Sequence, residues 1–143
     1  MTLSSRIGFE IARRLGLEGS AVAITGRNEE RLAGALEKLK ADKIECIGIR
    51  GHAGQKEHRE SLVKATIEKF GGVDFLVNSA AVNPLNSTIA KIDESKFDHM
   101  VNVNVKAPFH LTQLCLESMK ERGGGSVINI SSVASIFPNF VSS

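Results

Sequence analysis

Tyrosine and tryptophan are both absent from this 143-residue chain, and seven phenylalanines supply all of its aromatic rings. The phenylalanines are scattered at core-like spacing, so they form no stacking platform for nucleobases. Only two cysteines occur, Cys46 in "IECIGI" and Cys115 in "LTQLCLESM". Two thiols among apolar neighbours exclude a disulfide scaffold and read as reduced side chains of an intracellular, most simply cytoplasmic, protein. Neither sign of charge dominates: 18 basic residues face 16 acidic ones, for a net charge of +2. Nucleic acid and anionic membrane surfaces are therefore not expected as partners. The longest apolar runs are strand-sized, too short for a membrane span. "MTLSSRIGFEIARRL" has neither the basic start nor the apolar middle of a secretory leader. His58, His99 and His110 fall at no metal-ligand spacing, so no metal site is expected and they read as solvated or partly packed.

What the chain does have is alternation. Four runs, "SAVAIT" (20–25), "IECIGI" (44–49), "VDFLVN" (73–78) and "SVINIS" (126–131), are almost continuously apolar. Such runs suit strands covered on both faces. Helical patterns separate them. Ile7, Ile11 and Leu15 recur every four residues, and Leu32, Leu36 and Leu39 line a second helix after Asn28, a capping residue. Leu62, Ala65 and Ile67 mark a third helix, which Gly71 and Gly72 end. A longer helical stretch runs from Val101 to Arg122 with Leu111, Leu114 and Met119 inside it. Strand and helix in turn, with short connections, predict parallel crossovers and one α/β domain over 1–143 of the doubly wound, Rossmann-like type. In such sheets ligands lie off the carboxyl ends of the strands. The residues there are Gly26-Arg27, Gly51-His52, Asn78-Ser79 and Ser131-Ser132.

Three ordered segments carry a family resemblance: "VDFLVNSAAVNP", "VNVNVKAPF" and "GSVINISSVAS". In these the chain resembles the short-chain dehydrogenase/reductase family. "IGFEIARRL", "GHAGQKEHRESLV" and "GGVDFLVNSAAVNPL" further resemble its branch of NADPH-dependent carbonyl and retinal reductases, which includes peroxisomal and mitochondrial proteins. The resemblance implies an oxidoreductase that uses NADP(H) on a small carbonyl or alcohol substrate. It implies Ser132 as hydrogen-bond donor to the substrate carbonyl, favouring charge that develops on oxygen. Asn104 is implied as the holder of a water that supplies protons. Arg27 would pair with a 2′-phosphate, the alternative being an ordinary solvated arginine. Asn28 would help hold that phosphate or cap its helix. Ala53 would lie at the adenine through its backbone, and Asn78 and Ala80 would flank the cofactor. Ser5, Ile7 and Gly8 are what remains of the phosphate-binding loop, with Arg6 where its middle glycine belongs.

Two departures qualify what the resemblance implies. The family's general acid is a tyrosine about a dozen residues past the serine, with a lysine four further on, and that position falls beyond Ser143. Little or no turnover is expected of this chain by itself. The family's apolar first strand also has no counterpart. In the resembled strand order 3-2-1-4-5 its omission leaves the neighbouring strands ~9.6 Å apart, twice the ladder spacing. An alternative expectation is a non-catalytic protein that forms homo- or hetero-oligomers with full-length reductases through the 101–122 helix.

Overall fold

The computed structural model describes residues 6–83 and 91–133. The elements run α1 (Arg6–Leu17), β1 (Val22–Gly26), α2 (Glu29–Ala41), β2 (Cys46–Arg50), α3 (Lys56–Phe70), β3 (Phe75–Asn78), α4 (Glu94–Val101), a π-helical turn (Asn102–Lys106), α5 (Ala107–Glu121) and β4 (Ser126–Asn129). All four expected strands form. The long helix begins earlier than its apolar pattern suggests, because Asp93 caps α4 by accepting the Ser95 N–H. Gly71 at φ 78° closes α3 in the left-handed conformation that favours glycine.

β1 pairs in parallel with β2, Val22 opposite Cys46 and Gly26 opposite Arg50. β3 pairs in parallel with β4, Phe75 opposite Ser126 and Asn78 opposite Asn129. Alternation along β1 sends its side chains to two layers. Val22 and Ile24 join Ala12, Leu32, Leu39 and Ile44 beneath α1 and α2. Thr25 instead meets His58 of α3. A second cluster, with Leu62, Val63, Val73, Leu76, Leu111, Cys115 and Met119, lies beneath α3 and α5. Helices thus cover both faces of β1. Every residue of β4 is instead exposed, Ile128 at 46%, so the expectation of a strand covered on both faces fails there. The described helices pack on β3 and leave β4 at the edge of its ladder. Fully burying one such aliphatic side chain stabilises by about 1.5–3 kcal/mol, so these two clusters carry the fold.

The buried stripe of α1 differs from the spacing of Ile7, Ile11 and Leu15. Ile7 is exposed, while Gly8 and Ala12 are buried. Small residues let the helix approach closely: a Cβ on Gly16 would stand 2.4 Å from the Ile44 side chain. The two ladders remain separate sheets, and among the described residues no strand joins them. Between β1 and β3 lies a cavity of about 80 Å³, lined by Ala21, Val22, Ala23, Val73, Phe75 and Leu76 with Leu62 and Val63 of α3.

Candidate functional site

A second and far larger cleft, about 870 Å³, opens at the carboxyl ends of β1, β2 and β3. Its walls bring together four of the residues singled out in the sequence: Arg27, Asn28, Ala53 and Ala80. Arg27 follows β1 directly, where the chain turns into α2. Asn28 caps that helix, its Oδ1 accepting the Arg31 N–H at 2.8 Å, so capping and cleft lining coincide in one residue. The nearby carboxylate of Glu29 is taken up by Arg50 at 2.9 Å, and Arg27 itself forms no ion pair among the described residues. Arg31 and Lys38 of α2 also line the cleft. The sequence reading missed both. Their spacing along the helix from Arg27 is the signal that marks a cationic wall.

The far wall is built by the π-turn. Pro108 has no N–H to return to the carbonyl of Asn104, so the regular i→i−4 ladder fails there. The helix widens instead, and the Ala107 N–H reaches back five residues to the Asn102 carbonyl. Asn104 then closes on Val82 from both sides: its Oδ1 accepts the Val82 N–H at 2.9 Å and its Nδ2 donates to the Val82 carbonyl at 2.8 Å. Both polar atoms of its side chain thus serve the backbone after β3, a positioning role. Asn102 Nδ2 donates to the Gly54 carbonyl at 3.1 Å. The sequence reading passed over Asn102, although "NVN" is a visible signal.

The remaining predicted residues that the structure describes lie outside the cleft wall. Ile7 and Gly8 sit in the first turns of α1, whose Phe9 and Glu10 do line the cleft. Ser5 lies outside the described residues. Asn78, at the end of β3, is buried and donates to Asn129 Oδ1 at 2.9 Å, leaving its own Oδ1 without a hydrogen-bond partner among the described residues. Ser132 follows β4 at the exposed end of that ladder. Among the described residues no group of three metal-ligating side chains comes together.

One histidine departs from the expectation of a solvated or partly packed ring. His58 is 7% exposed, with Nε2 2.8 Å from Thr25 Oγ1. Thr25 gives its only hydroxyl proton to the Ile49 carbonyl at 2.5 Å, so His58 must be the donor and carries its proton on Nε2. Its Nδ1 faces Gly51, where a Cβ would lie only 2.0 Å away. Nothing in the local sequence announces this; the glycine that makes room is seven residues off and reaches the ring only through the fold. Burial, with smaller contributions from His52 and Arg59, holds the His58 pKa below its ordinary 6.5. The unfolded chain therefore takes up this proton first as pH falls. Stability is fully present above about pH 6.5 and declines below it until the folded pKa is reached. The denaturant midpoint is expected to fall between about pH 8 and pH 5.5, and His58→Gln to flatten that fall. A midpoint independent of pH would refute this.

Comparison with known proteins now bears on the site. The family profile described as short chain dehydrogenase matches residues 2–143. This chain belongs to the short-chain dehydrogenase family. Dehydrogenase/reductase SDR family member 4 of Homo sapiens is 38% identical over 133 residues, covering 93% of this chain and 48% of that protein. The human mitochondrial dehydrogenase/reductase SDR family member 2 is 42% identical over 135 residues, 94% of this chain and 48% of its own length. The chain thus spans about half the length of the curated relatives it matches. Among solved structures, a metagenomic short-chain oxidoreductase in complex with NADP superposes with TM-score 0.86 at 30% identity, covering 92% of this chain and 60% of its own. NAD+-bound xylitol dehydrogenase superposes with TM-score 0.88 at 25% identity, covering 94% and 52%. Both superpositions extend over more than nine-tenths of this chain and so share its α/β fold.

Proposed function

We propose that this short-chain dehydrogenase binds a nicotinamide dinucleotide, NADP(H) in preference to NAD(H), and that its site is built for a small carbonyl or alcohol substrate. One observation carries the preference: Arg27 lines the cleft at the end of β1 beside the start of α2, with Arg31 and Lys38 in the same wall. An acidic residue at that strand end would suit ribose hydroxyls; three cations suit a 2′-phosphate. The cleft volume lies within the range of small-molecule sites. Ala53, Ala80 and Ala81 give the cleft small side chains, which let a flat ligand approach the backbone. When bound, the nicotinamide supplies or accepts hydride. The chain's own part is to grip the adenosine phosphate through Arg27 and Asn28 and to hold the wall after β3 through Asn104. Ser132 would donate a hydrogen bond to the substrate oxygen, and the buried Asn78 Oδ1 would accept one from an incoming donor. Titration calorimetry tests the preference: adenosine 2′,5′-bisphosphate should bind at least about tenfold more tightly than adenosine 5′-monophosphate. Equal affinities would rule the NADP(H) preference out.

A second reading concerns association. Val105, Phe109 and Leu116 are exposed along the π-turn and α5, an apolar line of the kind that marks a protein interface. On this reading the chain forms homo- or hetero-oligomers with full-length reductases without itself turning over substrate. Sedimentation should show a species larger than the monomer, lost on Phe109→Asp; a monomer at every concentration, alone and mixed with an intact reductase, defeats it. No helix among the described residues is long and apolar enough to cross a membrane. One relative is named as mitochondrial, while an intracellular, cytoplasmic location is our reading for this chain.

A further inference from the structure

Two walls of the cleft are the segments that follow strands: residues 51–54 after β2 and residues 80–82 after β3. Val103, 3% exposed, lies in the π-turn and also lines the cleft. It is flanked by two asparagines with opposite assignments. Asn104 clasps Val82 on one wall through two hydrogen bonds. Asn102 holds Gly54 on the other. In a regular α-helix, residues two apart point about 200° away from each other, so one short segment reaches in two directions. Because α4, the π-turn and α5 follow one another without a break, a single helical segment holds both walls.

The 51–54 wall is held from further sides. Arg59, 6% exposed, donates from Nη1 to the Ala53 carbonyl at 2.8 Å. The Gly54 N–H donates to His52 Nδ1 at 3.0 Å, and the His52 ring leans on His99 of α4 with centroids 5.6 Å apart. Of these ties, only the Asn102 bond joins this wall by a hydrogen bond to the segment that also grips Val82. We propose that Asn102 is a positioning residue for the cofactor cleft: with Asn104 it brackets the two walls across Val103 and sets the width at which the adenosine end of a dinucleotide is gripped. This rests on the dinucleotide reading above.

The isosteric substitution Asn102→Asp removes the donated proton and faces a carboxylate toward the Gly54 carbonyl. Two readouts on the 143-residue chain decide the matter. Adenosine 2′,5′-bisphosphate affinity should fall about tenfold. Amide hydrogen exchange without ligand should quicken at Gly54 and, through the bracket, at Val82. A merely local role would loosen 51–54 and leave Val82 unchanged; that outcome, or an unchanged affinity, overturns the proposal. Gly54→Ala guards against misfolding of the first variant. Its Cβ would stand 2.8 Å from Asn102 Nδ2, pushing the same amide from the loop side, and it should give the same paired changes. If the unsubstituted chain does not bind the bisphosphate, the dinucleotide reading fails, and the exchange at Val82 alone decides the bracket.

Discussion

The 143-residue chain is expected to oxidise NADPH in the presence of a reactive dicarbonyl at least about a thousandfold more slowly than an intact short-chain dehydrogenase. Reduction of a carbonyl requires a proton on oxygen as hydride reaches carbon. A positioned general acid contributes typically 10²–10⁴-fold to such a step. The chain contains no tyrosine, so no phenol is present to do this work. His58 is no substitute: it is buried on α3 with its Nε2 proton given to Thr25. Ser132 can orient a carbonyl oxygen, but an aliphatic hydroxyl is too weak an acid to replace a phenol as proton donor. Residues that act as a catalytic unit fail together when one is removed. The measurement is NADPH consumption under saturating substrate. Turnover within about tenfold of an intact relative would show that another group supplies the proton.

Arg27→Glu should weaken adenosine 2′,5′-bisphosphate about a hundredfold while changing adenosine 5′-monophosphate far less. A hydrogen bond to a charged group is worth about 1.5–3 kcal/mol, or roughly 10- to 150-fold. Replacing the cation by an anion adds repulsion from the same position. Arg31 and Lys38 stay in place in this wall, which keeps the loss from being total. The ratio of the two affinities is the informative quantity, because a general disturbance of the cleft would weaken both ligands alike. A ratio that survives the substitution would move the phosphate away from the end of β1. Calorimetry on the variant and the parent chain reads it directly.

Much of the fold was legible before any coordinates. Short continuous apolar runs such as "SAVAIT" suit strands with both faces covered, and their alternation with leucine-spaced segments leads to parallel crossovers. Arg27 was legible because topology puts strand ends at one edge of a sheet, whereas Asn28, Ala53 and Ala80 were singled out through the family resemblance. Other features were hidden. Ile7 looked like core by spacing, yet α1 packs through Gly8 and Ala12, because side-chain size at the contact decides how close a helix comes. Arg31 and Lys38 carried no signal that set them apart in the sequence, and it is the run of the cleft along α2 that brings them to its wall. Asn104 stood out through the resemblance, but its work on Val82 did not.

The sequence by itself determined the element order, the strand ends and the family, since period, capping and turn chemistry are local and are written residue by residue. Only the tertiary structure decided that His58 is buried and neutral, that Asn102 and Asn104 hold opposite walls, and that the two ladders stand as separate sheets. Each of these depends on contacts between residues 22 to 51 positions apart, such as Thr25 with His58, Gly54 with Asn102 and Val77 with Ile128. Contacts at such separations follow from how the layers pack, and no local pattern encodes them.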